Sequence, residues 1–194
     1  MTRRFVAVLV SGGVDDERLA AAMLEDVVDM VAAMEQVEGA IVAAPAAVEL
    51  AGRVRWPDMP VVVIDAGDLD VATALDAVRG VGADEAALVV ADVPDLPPLL
   101  LGKLFSALTS QPVAVCPAES GALCAVAARL PVPDWFRRAG VSLDAADALD
   151  QARAAAPPGG LHVGPGWHRV RSTSDVHRLD PQLEGWEATR AWLG

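Results

Sequence analysis

Val89-Val90-Ala91-Asp92-Val93-Pro94-Asp95-Leu96-Pro97-Pro98 reads as a buried strand that closes on an aspartate and turns at once, through prolines, toward a helix. In an open α/β sheet, ligands bind in the crevice outside the carboxyl ends of the strands. Asp92 is then a hard oxygen ligand standing where a divalent metal and its phosphates would sit. The bland alternative is a turn cap, although Asp95 is better placed to cap the helix that follows.

Outward from this stretch, apolar runs alternate with helical patterns. Strands are expected at Phe5–Val10, Ala40–Ala43, Val61–Ile64, Ala87–Ala91 and Val113–Cys116, with helices near Glu17–Gln36, Ala46–Arg53, Val71–Arg79 and Leu99–Thr109. Near-continuous Val/Ile/Leu strands between amphipathic helices predict a mostly parallel sheet covered on both faces. Leu123–Arg129 reads as a further strand, Pro133–Ala139 as a short helix, and Asp144–Ala156 as a longer one with Ser142 as its cap. Pro157-Pro158-Gly159-Gly160 breaks the chain before strand candidates Leu161–Val163 and Arg169–Arg171 and a last helix from Pro181 to Leu193. The expected architecture is a single α/β domain, residues 1–194, around a central sheet of about seven strands.

Composition narrows the function. The 194 residues are 53% hydrophobic and 22% charged, as in an ordinary globular protein. No apolar run approaches the roughly 20 residues that span a bilayer, and the basic Met-Thr-Arg-Arg start leads straight into a strand-length run. A cytoplasmic protein is expected, with Cys116 and Cys124 as buried free thiols. The net charge of −12 lies entirely in residues 1–100, which hold 18 acidic and 6 basic residues, against 9 of each in 101–194. Such a field argues against nucleic acid and anionic membranes as partners. A homo-oligomer is compatible with the composition.

The loop Ser11-Gly12-Gly13-Val14-Asp15-Asp16-Glu17-Arg18 joins the first strand to the first long helix. Glycine-rich strand-to-helix loops cradle phosphates with backbone N–H groups. Here three carboxylates follow the glycines, and Asp15 or Asp16 is expected to cap the helix instead. Each carboxylate held at ~4 Å from a phosphate charge would cost roughly 1 kcal/mol even in water. Ala66-Gly67-Asp68-Leu69-Asp70 is a second carboxyl-side turn with an aspartate cap. His162, His168 and His177, with Arg169, Arg171 and Arg178, form a basic neighbourhood in the tail, and Trp167, Trp186 and Trp192 are expected to pack the tail onto the sheet.

Together these segments resemble the bacterial glycosyltransferase-A-like proteins, of nucleotide-diphospho-sugar transferase fold, of the arsenosugar-biosynthesis type. Ala66-Gly67-Asp68-Leu69 is similar to that family's Gly-Asp-Leu-Gly turn, and Val89–Pro98 to its strand ending in Asp-x-Pro-x-Leu. Cys116-Pro117-Ala118-Glu119-Ser120-Gly121, continuing to Arg129-Leu130-Pro131, resembles its next strand-loop-strand, Phe136–Ser142 the segment after it, and Asp180–Leu193 its closing helix. The phospholactate guanylyltransferases share this fold. The resemblance implies transfer of a glycosyl or nucleotidyl group from a nucleotide or nucleotide-sugar donor. Ser11, Gly12, Gly13 and Asp68 would face the nucleotide, and Asp92 and Asp180 would hold Mg²⁺ or Mn²⁺.

The chain also departs from the family pattern. Asp15, Asp16 and Glu17 stand where the family carries basic residues, and Glu119-Ser120-Gly121 replaces its Asp-Gly-Gly. Pro181 and Gln182 follow Asp180 in place of further acidic ligands, and a second alignment sets Arg171 at that acidic position. A non-catalytic scaffold or regulatory protein on the same fold is the alternative that these departures imply. An unrelated doubly wound binding protein is the third.

Overall fold

Strand β1 (Arg4–Val10) is an inner strand of the seven-stranded sheet that the described residues form. On one side it pairs in parallel with β2 (Glu38–Ala43), which pairs in parallel with β3 (Val61–Val63). On the other it pairs in parallel with β4 (Glu85–Val90). Beyond β4 lie β6 (Leu123–Arg129), β5 (Val113–Pro117) and β7 (Leu161–Val163), giving the order β3-β2-β1-β4-β6-β5-β7. Among the described residues only β6 runs antiparallel to its neighbours, a feature that apolar pattern alone does not encode. The computed structural model describes residues 2–10, 14–65 and 70–194.

Both faces of the sheet are covered. Phe5–Leu9, Ala86–Val90, Val113–Cys116 and Leu123–Ala128 are buried at every position. Successive strand side chains point to opposite faces, so unbroken burial requires packing on each. Helices α1 (Glu17–Ala32) and α2 (Val48–Val54) pack near β2, α3 (Val71–Gly80) against β2, β3 and β4, and α4 (Pro98–Ala107) against β4, β5 and β6. The short α5 (Asp134–Ala139) touches α3 and α6 (Ala148–Ala155). No helix among the described residues is long and apolar enough to cross a membrane.

Local chemistry sets the helix starts. Asp16 accepts hydrogen bonds from the N–H groups of Arg18 and Leu19 at 2.8 and 2.9 Å and caps α1, as expected. Asp70 does the same for α3 through Thr73 N at 2.9 Å. Two expected caps are absent. α4 starts after Pro97 with no side-chain cap, since Asp95 turns into the interior instead. The longer late helix begins at Ala148 and not at Asp144, because Asp144 is drawn to arginine side chains.

The tail folds differently from its sequence pattern. Arg169–Arg171 is not a strand: Val170 is buried and its N–H donates to the Asp92 carbonyl at 2.8 Å. A 3-10 turn follows at Thr173–Arg178, and α7 spans only Glu187–Leu193. Trp186 joins Leu19 and Met23 of α1, with Val170, Val176 and Leu179, in a second small core. Of the tail tryptophans, Trp167 packs against the main core beside the sheet, as expected, whereas Trp186 and Trp192 belong to the small core on α1.

Candidate functional site

The carboxyl ends of β1 and β4 lie side by side, since Leu9 stands opposite Val90 in parallel register. From β1 the chain moves outward to β2 and β3 on one flank, and it returns through α3 to β4 on the other. The strand order therefore reverses between β1 and β4, which is where open α/β sheets form their ligand crevice. Ser11, Gly12 and Gly13, which follow β1 in sequence, and Asp68 lie outside the described residues. Asp92 stands two residues past β4 and is 5% exposed.

Asp92 has a partner that the sequence did not assign. Arg169 donates from Nε to Oδ1 and from Nη2 to Oδ2, both at 2.8 Å. Arg169 Nη1 donates to the carbonyls of Leu123 and Leu143 at 3.2 and 3.1 Å, and Nη2 also donates to Asp144 at 2.6 Å. A guanidinium has five N–H donors, and here all five have acceptors. Burial opposes the Arg169 charge, but Asp92 and then Asp144 hold its pKa above the ordinary arginine value. Burial likewise pushes the Asp92 carboxyl up against the pull of Arg169, and the bidentate fork keeps it the anionic partner.

Asp95 is a further buried carboxylate in the turn that follows β4. It accepts from Trp167 Nε1, from the Asp180 N–H and from His168 Nε2, each at 3.0 Å. His168 stacks on Trp167 with centroids 4.9 Å apart. His168, one of the tail's basic neighbourhood, is therefore held against a buried carboxylate. Asp180 is drawn toward the strand end by its backbone N–H, while its own Oδ1 accepts from Gln182 N at 2.9 Å.

Arg169 also forms part of the wall of a cleft of about 390 Å³ lined by Ala118, Glu119, Ser120, Arg171, Asp175 and Arg178. Arg171 pairs with Asp144 at 3.2 Å and Arg178 with Glu119. The cleft gathers the tail arginines into one place, although each shown pair already has a carboxylate. Its size suits a sugar or phosphate group more readily than a whole nucleotide-sugar.

A divalent ion does not fit this donor set. Mg²⁺ or Mn²⁺ needs several free oxygens, whereas both oxygens of Asp92 are taken and Asp95 accepts three hydrogen bonds. No group of three or more His, Cys, Asp or Glu side chains among the described residues is arranged to hold a metal. The pairing expected of Asp92 and Asp180 around an ion is replaced by Asp92 around a guanidinium. A signal for Arg169 was present in the sequence: an aspartate closing a buried strand needs a cation, and few stand in the chain's acidic first half. What the sequence lacked was the 77-residue pairing itself.

Comparison with solved structures finds the same architecture. A candidate nucleotide-diphospho-sugar transferase from Desulfovibrio desulfuricans G20 superposes with a TM-score of 0.67 at 18% identity, covering 98% of this chain and 95% of that one. The 4-diphosphocytidyl-2C-methyl-D-erythritol synthase of Anaerococcus prevotii DSM 20548 gives 0.66 at 9% identity, covering 99% and 96%. Rv0371c from Mycobacterium tuberculosis H37Rv gives 0.64 at 15% identity, covering 92% and 97%, and its complex with manganese gives 0.58. No family model matches the sequence, and no curated protein matches it. At these identities the likeness is one of fold. The chain has the α/β fold of the nucleotide-diphospho-sugar transferase-like proteins, with a seven-stranded, mostly parallel sheet.

Proposed function

We propose that this chain binds a nucleotide or nucleotide-sugar in the crevice at the carboxyl ends of β1 and β4, as a protein of the glycosyl- or nucleotidyl-transferase type. The observation that carries the reading is the reversal of strand order between β1 and β4, with a buried Asp92 beside it. The named activities of the structural neighbours support it at the level of fold. Ser11, Gly12, Gly13 and Asp68 are the proposed nucleotide-facing residues, and the adjoining arginine-lined cleft is the proposed seat of the sugar or acceptor. Magnesium or manganese is the metal that the resemblance implies. Manganese occurs in the Rv0371c complex, but the oxygens of Asp92 here meet Arg169.

That pairing favours a second reading, in which the protein keeps the fold and the binding crevice but acts as a non-catalytic scaffold or regulator. A thermal-shift panel of nucleotides and nucleotide-sugars, followed by turnover assays with whichever binds, separates the two. Saturation at 100 Kd raises stability by about 2.7 kcal/mol. A shift with turnover supports the transferase, a shift without turnover supports the second reading, and no shift with any nucleotide overturns both.

A further inference from the structure

We propose that Arg169 is the resident cation of this site: its guanidinium occupies the position beside Asp92 that a divalent ion would need, and ligand binding in the crevice is independent of metal. The second half rests on the nucleotide reading above; the first half does not.

The geometry of Arg169 carries the inference. It is 4% exposed, it grips both oxygens of Asp92 at 2.8 Å, and its remaining N–H donors are spent on Leu123 O, Leu143 O and Asp144. These acceptors come from the end of β4, the start of β6 and the loop before α6, so one side chain ties three segments to the tail. A surface arginine could swing aside for an incoming ion. This one would abandon five hydrogen bonds, and the displaced charge would need a new partner in a buried setting. The adjacent backbone reinforces the arrangement, because the Val170 N–H donates to the Asp92 carbonyl at 2.8 Å and Val170 is fully buried.

Arg169 also supplies the cation that Asp92 does not find among the acidic first hundred residues. Its charge is met by Asp92 and Asp144, and the adjoining cleft adds Arg171 and Arg178, paired with Asp144 and Glu119. A fixed guanidinium carries its charge at every pH of interest and needs no ion to be recruited.

The test is a Mn²⁺ titration of the full chain followed by electron paramagnetic resonance of the free ion, with far-UV circular dichroism to check folding. Wild type should leave Mn²⁺ free at 100 µM. Arg169→Gln should gain affinity at least tenfold, and the double variant Arg169→Gln/Asp92→Asn should lose it again. Should Arg169→Gln not fold, the comparison of wild type with Asp92→Asn decides instead, and Mn²⁺ left equally free by both is the expected result. Tight Mn²⁺ binding by wild type that Asp92→Asn abolishes would overturn the proposal, as would the absence of any gain in the folded Arg169 variant. In a second arm, CTP and UDP-glucose are titrated calorimetrically in EDTA and in Mn²⁺. Affinities within twofold of each other support metal independence, and a tenfold tightening by Mn²⁺ overturns it. Absence of binding by every nucleotide would sink the nucleotide reading and with it this second half, leaving the Mn²⁺ arm to decide the role of Arg169.

Discussion

At the scale of single residues, the site turns on a charge pair and on the asymmetry between keeping and breaking it. Two ions taken from water cost several kcal/mol each, and their attraction repays this only where the geometry is good and the other donors are met. Arg169 satisfies that condition, with every N–H placed. Removing one partner leaves the other buried and alone. Arg169→Met should therefore cost about 3–5 kcal/mol in urea denaturation, because Asp92 stays behind without its cation. The double variant Arg169→Met/Asp92→Leu should recover most of that loss. A double variant as unstable as the single one would mean that the guanidinium matters for its carbonyl bonds and not for its charge. Asp92 was readable in the sequence because strand and proline turn mark it, but its partner was not, since no local pattern links positions 77 residues apart.

At the scale of elements, the tail is held by caps supplied from a distance. Asp26, buried on α1, accepts the N–H groups of Ala188 and Thr189 at 2.8 Å each and so caps the first turn of α7. Sequence reading looks for caps next to a helix and could not see one 162 residues away. Asp26→Ala should cost about 1–2 kcal/mol, at the scale of a lost cap, in the same urea experiment. The 3-10 turn at Thr173–Arg178 has a local cap: Asp175 accepts from Ser172 N at 2.9 Å and Arg171 N at 3.0 Å, and from the Ser172 hydroxyl at 2.9 Å. Burial works against the Asp175 charge, but these hydrogen bonds prevail and hold its pKa below the ordinary 3.8. A carboxyl depressed in the folded state stabilises fully above its unfolded value and loses that contribution as pH falls through the folded one. Asp175→Asn should thus lower stability by about 1 kcal/mol at neutral pH. The gap from wild type should close as the pH is taken below that ordinary value. A gap unchanged in acid would show that the charge of Asp175 is not what the turn uses.

At the scale of the whole molecule, the sheet was the most legible part and the tail the least. Leu123–Arg129 and Leu161–Val163 are strands at the boundaries their apolar runs predict, and β1 to β5 differ by a few residues at their ends. Buried strands announce themselves through unbroken Val, Leu and Ala, whereas their order and the antiparallel sense of β6 depend on tertiary packing. Arg169–Arg171 misled because alternation around Val170 looks like a strand, while its charges were answering Asp92 and Asp144. One continuous sheet and a second small core built on α1 predict cooperative unfolding. Tryptophan fluorescence, to which the tail contributes Trp167, Trp186 and Trp192 of the chain's five tryptophans, and far-UV dichroism should give coincident urea transitions. A separate early fluorescence transition would mean that the tail docks without being part of the fold. The proposed function at this scale rests on a crevice beside which the tail places Arg169 against Asp92. The most direct measurement is anomalous diffraction at the manganese edge from crystals grown with Mn²⁺ and a bound nucleotide. The account predicts nucleotide density beside β1 and β4, Arg169 still forked onto Asp92, and no anomalous peak at that carboxylate. A manganese peak bonded to Asp92, with Arg169 displaced, would contradict it.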